Sequence, residues 1–185
     1  MMTKKLLLPV VLFFLINSAI CQDVKKETEA LQTKMDRFTS KTGAFSKFAD
    51  TKLPDLISNY SSAQTRIRKV VSGTQYFYFY QIEESGEYGN STASIEYSDL
   101  LEVIKALNVL KVEVDKDAAG NPDYLENKFT TVDGFQVGYY VSKSKVQRFI
   151  KLEKYGSKNT VFMKDFATVE TAFNDAKVKI QELQK

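Results

Sequence analysis

The side chains able to do chemistry in this chain are few in kind. Histidine and tryptophan are absent, and the single cysteine, Cys21, closes an apolar leader. Cleavage there leaves a chain without the nitrogen and thiolate ligands that zinc, copper and haem sites use. It also lacks the histidine or thiol of a catalytic triad. Acid–base work would fall to carboxylates, lysines and tyrosines.

One acidic stretch has a metal-ligand spacing. Asp115, Asp117, Gly120, Asn121, Asp123 and Glu126 stand at positions one, three, six, seven, nine and twelve of a calcium loop, with a helical pattern leading in. The pattern then breaks. Ala119 takes the fifth position, where a ligand oxygen belongs, and Pro122 replaces the apolar eighth residue. Residues 127–132 read as a strand where an exit helix is required. An acidic turn closing a helix explains the same residues without a metal.

Other constellations fail on geometry. Ser142-Lys143-Ser144-Lys145 fits S-x-x-K but falls in a hairpin turn, whereas that chemistry uses a serine at a helix start. Glu83 and Glu84 are neighbours on a strand and project to opposite faces, so they cannot share a substrate as paired glycosidase carboxylates do. Arg66 and Arg68 share a face and, with Lys69, make a small basic cluster among acidic neighbours. Gly86-Glu87-Tyr88-Gly89 lacks the lysine and the strand-to-helix setting of a phosphate loop.

The run Tyr76-Phe77-Tyr78-Phe79-Tyr80 is the strongest lead. On a strand its tyrosines point one way and its phenylalanines the other, so both faces are apolar. The tyrosine side joins Ile82 as core. Phe77 and Phe79 lie opposite, and Phe149 occupies the equivalent place seventy residues after Phe79. These three are the candidate ligand-contacting residues. Two readings compete: an N-terminal helix bearing Leu31, Met35 and Phe38 covers the second face as core, or that face is an apolar ligand groove or self-association surface.

Periodicity supplies the elements that position them. Val24, Leu31, Met35 and Phe38 recur at helical spacing up to Thr42-Gly43. Residues 44–58 carry no clear period, and Leu53-Pro54 marks a break. Residues 65–71 and 74–84 read as strands joined at Ser72-Gly73, with a third strand near 92–97. A helix starts at Ser98-Asp99, buries Leu100, Val103, Ile104, Leu107 and Leu110, and stops before Ala119-Gly120-Asn121-Pro122. Strands follow at about 128–132, 135–142, 145–155 and 160–164. A last helix spans 165–184 with Phe166, Val169, Phe173, Ala176, Ile180 and Leu183 on one side. The pattern predicts an α+β fold, an antiparallel sheet of about six to eight strands with helices on one face and an extra N-terminal helix. An offset of seventy places Val71, Ser72, Phe79 and Glu83 on Val141, Ser142, Phe149 and Glu153. Either two hairpins match by chance, or two pseudo-symmetric β-β-β-α units occupy about 63–115 and 128–184 and share one sheet.

The leader points to export. Met1 to Lys5 is a basic start, and Leu6 to Ile16 is apolar apart from Pro9, too short to span a bilayer. Ser18 and Ala19 suit signal peptidase, with Gln22 as the new N-terminus; lipidation at Cys21 is the alternative, disfavoured by the bulk of Ile20. A single domain over 22–185 is expected, periplasmic or extracellular, with no further transmembrane segment. Of the 26 basic residues two lie in the leader, leaving 24 against 23 acidic, a balance that offers nothing to nucleic acid. Asn59-Tyr60-Ser61 and Asn90-Ser91-Thr92 fit the glycosylation pattern, which polar turns also produce. No cofactor is implied. The expected role is binding, without catalysis, of an apolar or aromatic small molecule or an envelope protein. The alternatives are a structural component of the envelope and a carboxylate-based hydrolase, which would need a cleft holding a shifted acid beside a second polar group.

Overall fold

The computed structural model describes residues 32–40, 42–86, 89–156 and 158–185; the leader, Cys21, Val24 and Leu31 lie outside them. A short helix, α1 (Lys34–Thr39), precedes β1 (Ser46–Ile57), β2 (Ser62–Ser72), β3 (Gln75–Gly86), β4 (Gly89–Glu96) and α2 (Tyr97–Ala119). Then come β5 (Leu125–Thr130), β6 (Gln136–Ser142), β7 (Lys145–Lys151), β8 (Thr160–Met163) and α3 (Phe166–Leu183). The fold is α+β with eight antiparallel strands.

The strands form two four-stranded sheets, β1-β2-β3-β4 and β5-β6-β7-β8, where the periodicity predicted one shared sheet. Each sheet is a meander that ends in a helix, so the unit is β-β-β-β-α. The strand missed in the first unit is β1. It lies at the sheet edge and fully buries only Leu56, so its sequence shows little alternation. Its pairing with β2 slips between Leu53 and Leu56, a bulge that takes up Pro54, as an edge strand can. The seventy-residue offset survives in the hairpins: β2 and β3 close on the pair Ser72 and Gln75, β6 and β7 on Ser142 and Lys145.

The helices form where caps and apolar stripes coincide. Glu96 accepts from the Ser98 N–H at 2.9 Å to start α2, and Asp165 accepts from the Thr168 N–H at 2.8 Å to start α3. Leu100, Val103, Leu107, Leu110 and Val114 of α2 are buried, as are Phe166, Val169, Phe173, Ala176 and Ile180 of α3. Both helices touch both sheets: α2 lies on β3 and β6, and α3 on β1, β2 and β8. One continuous core results, with Ile67, Tyr80 and Ile82 from the first sheet and Val137, Tyr139 and Ile150 from the second. Tyr80 and Phe173 meet edge to face with ring centres 5.1 Å apart.

The calcium-loop spacing does not form a loop. Asp115 and Asp117 are helical and Glu126 is on β5. Asp117 accepts the Tyr139 hydroxyl at 2.5 Å, and Glu126 pairs with Lys128 at 2.6 Å. Among the described residues no cluster of acids is placed to hold a metal ion, and no helix is long and apolar enough to cross a membrane.

Candidate functional site

The outer face of the first sheet, away from α2 and α3, is built in cross-strand rows. Phe48, Val70 and Phe77 stand side by side on β1, β2 and β3; the next row is Asp50, Arg68, Phe79 and Glu96, and the next Lys52, Arg66, Gln81 and Ser94. The polar rows satisfy one another. Arg68 grips both oxygens of Asp50 at 2.8 and 2.7 Å, and Arg66 reaches Gln81 at 2.8 Å and Glu83 at 2.7 Å. Arg68 therefore holds the Asp50 carboxyl below its ordinary range, and Arg66 does the same for Glu83. Gln81 passes a hydrogen bond to Ser94 at 2.8 Å.

The apolar end of this face is covered by α1. A capping box starts the helix, the Thr33 hydroxyl accepting from the Asp36 N–H and the Asp36 carboxylate from the Thr33 N–H, both at 3.1 Å. Two ties seat it. The Lys34 N–H donates to both oxygens of Asp133, each at 3.0 Å, and the Lys34 ammonium pairs with Asp99 at 2.7 Å and Glu96 at 3.6 Å. Phe38 then packs with Val70 and Phe79 in a small cluster of its own, edge to face on Phe77 at 4.3 Å between ring centres.

Among the described residues the cover is incomplete: the six residues of α1 reach only about 9 Å. Phe79 is 1 % exposed, but Phe77 keeps 38 % of its surface and Phe48 keeps 48 %. Between α1 and the sheet an open groove of about 550 Å³ remains, floored by Phe38, Phe77 and Phe79 and rimmed by Lys34, Arg37 and Glu96.

Of the sequence candidates, Phe77 and Phe79 come together here and Phe149 does not. Phe149 is buried on the second sheet, on the side opposite Ile150, between Gly138 on β6 and Phe162 on β8. α1 covers Phe79 as core and leaves Phe77 half open. Lys34, Arg37 and Glu96 were not singled out in the sequence. Their place depends on the tie from Lys34 to Asp133, which no local pattern announces.

Among the described residues, other clefts are lined by acids. A cleft of about 360 Å³ between α1, β4 and the loops after β5 and β7 contains Asp133 and Glu153. Burial raises the Asp133 carboxyl above its ordinary value. Both of its oxygens are spent on the Lys34 N–H, and Glu153 accepts from the Thr92 N–H at 2.7 Å. These acids join parts of the fold and do not form a free acid–base pair. The second cleft, about 390 Å³, lies between the β1 bulge and α3 and holds Thr65 and Asp165. There Asp165 is engaged by Thr168, whose N–H and hydroxyl lower its carboxyl.

The chain matches no protein-family model, no curated protein and no solved structure.

Proposed function

We propose that this is a non-catalytic binding protein that holds an apolar or aromatic small molecule in the groove between α1 and β3. The observation that carries the reading is the half-open ring of Phe77 beside the buried Phe79. An aromatic floor is built, supported and then left accessible. Its volume falls in the range of small-molecule sites, about 300 to 1,000 Å³. The basic start and apolar run ahead of Cys21 support an exported protein, periplasmic or extracellular, with lipidation at Cys21 the alternative to simple cleavage. Phenylnaphthylamine, a neutral dye that brightens in apolar sites, tests the groove. Saturable binding to the native protein should weaken about tenfold or more in Phe77→Ala, with the circular dichroism unchanged. Equal affinity in both proteins contradicts the reading.

A second reading is assembly through the same face, favoured by Phe45 and Phe48 standing exposed on and beside the edge strand β1. Light scattering across a concentration series separates the two. Growth in size that Phe48→Ser abolishes supports assembly, and a constant monomer supports the small-molecule groove.

A further inference from the structure

The groove's rim states what its ligand should carry at one end. The Lys34 ammonium is engaged by Asp99 at 2.7 Å and Glu96 at 3.6 Å, and it reaches the Ser98 hydroxyl at 3.4 Å. Glu96 is spent on capping α2, accepting from the Ser98 N–H at 2.9 Å and from the Ser98 hydroxyl. Asp133 beneath the helix has both oxygens on the Lys34 N–H. Arg37 differs. It is exposed on the last turn of α1, next to Phe38, and among the described residues its guanidinium makes neither an ion pair nor a side-chain hydrogen bond. A planar fork with its donors unspent, at the mouth of a phenylalanine-floored groove, is complementary to an anion joined to an apolar body.

Resting on the small-molecule reading of this groove, we infer that the ligand is an amphipathic organic anion, its apolar or aromatic body on Phe38, Phe77 and Phe79 and its carboxylate or equivalent head on Arg37. The rings supply affinity through area removed from water. The guanidinium supplies orientation and a preference for acids over neutral compounds of the same shape. A cationic ligand would meet the Arg37 guanidinium at the mouth, where Lys34 already engages Glu96 and Asp99 and where Asp133 is the acid within electrostatic reach of Arg37. A protein surface meeting the same groove through a glutamate or a C-terminal carboxylate would be a different occupant, and the groove's size favours the small molecule.

Two dyes with one ring system make the test. Anilinonaphthalene sulfonate and phenylnaphthylamine differ by one negative charge. Each is titrated into the native protein, Arg37→Gln and Phe77→Ala, with circular dichroism confirming the fold of each variant. The inference expects the sulfonate to bind the native protein about tenfold tighter than the neutral dye, the scale of a charge-assisted contact. Arg37→Gln should abolish that preference by weakening the sulfonate about tenfold more than the neutral dye, and Phe77→Ala should weaken both. Equal affinities that Arg37→Gln does not alter, with Phe77→Ala still weakening both dyes, overturn the anion and leave the groove standing. Indifference of both dyes to Phe77→Ala removes the groove as a site and the inference with it.

Discussion

Truncating Phe79 and Phe77 one at a time separates the sealed part of the outer face from its open part. Phe79 keeps 1 % of its surface and packs with Phe38 and Val70, so its removal should cost what a fully buried phenylalanine costs, about 3–5 kcal/mol. Phe77 keeps 38 %, so roughly three-fifths of that burial is at stake, and the space it vacates opens onto the groove instead of closing as a cavity. About 2 kcal/mol follows. Urea unfolding read by far-ultraviolet circular dichroism measures both, with unchanged slopes showing that the same surface is exposed. The difference between the two variants should exceed about 1 kcal/mol. A Phe77→Ala cost equal to or above that of Phe79→Ala refutes the open groove. A Phe79→Ala cost below about 1 kcal/mol refutes the seating of α1 on the sheet.

Four further outcomes are expected. Gly138→Ala should destabilise by about 1–3 kcal/mol in a thermal melt, because its Cβ would lie 2.4 Å from the Asn127 carbonyl oxygen and 2.6 Å from the Lys128 Cβ. Tyr139→Phe removes hydrogen bonds to Asp117 at 2.5 Å and from Asn127 at 3.1 Å, a loss of about 1.5–3 kcal/mol given the charged acceptor. Tyr80→Phe should be neutral or stabilising in the same melt. Among the described residues the buried Tyr80 hydroxyl makes no well-formed hydrogen bond: Thr65, which faces it, gives its own proton to the Pro54 carbonyl. Stability should also fall in acid. Asp50 and Glu83 have native values below the ordinary 3.8 and 4.5, so the unfolded chain binds protons first. Their contribution is complete above the ordinary values and disappears as the pH drops through the lowered native ones, which urea midpoints between neutrality and strong acid will register.

Long periodic segments were legible and the relations between them were not. The stripes of α2 and α3 run over five or more turns, so their extent emerges within a residue or two from spacing and caps alone. The alternation of Tyr76 to Tyr80 separates the two faces, with Tyr78 and Tyr80 in the core and Phe79 beside Phe38 on the other side, but Tyr76, expected in the core, lies at the start of the strand and is exposed. Alternation tells which face a side chain takes but not which sheet its strand enters. That is why Phe149, matched to Phe79 by the offset, lies on the second sheet and away from the groove. A 23-residue helix between β4 and β5, about 35 Å long, carries the chain out of the first sheet before the second begins. At β1 the edge position removes the buried half of the pattern, and the bulge at Pro54 makes a continuous strand look interrupted. The second hairpin also hides its turn chemistry. Lys143 and Ser144 take φ of 50° and 61°, a left-handed pair that glycine or asparagine usually supplies.

The groove depends on contacts between distant parts of the chain. Lys34 and Asp133 are 99 residues apart, and their tie holds Phe38 over Phe77 and leaves Arg37 at the rim. A local pattern marks Phe77 and Phe79 as exceptional. Only the packed fold shows that α1 reaches far enough to seal one ring and not the other.

The most direct test is to map amide chemical shifts in the isotope-labelled protein as anilinonaphthalene sulfonate is added to saturation. The groove predicts changes concentrated at Arg37, Phe38, Phe77, Phe79 and Glu96. Changes centred on Leu56, Thr65 and Thr168 in the cleft at the β1 bulge, or around Phe149, would contradict it, as would a spectrum that saturating dye leaves unchanged.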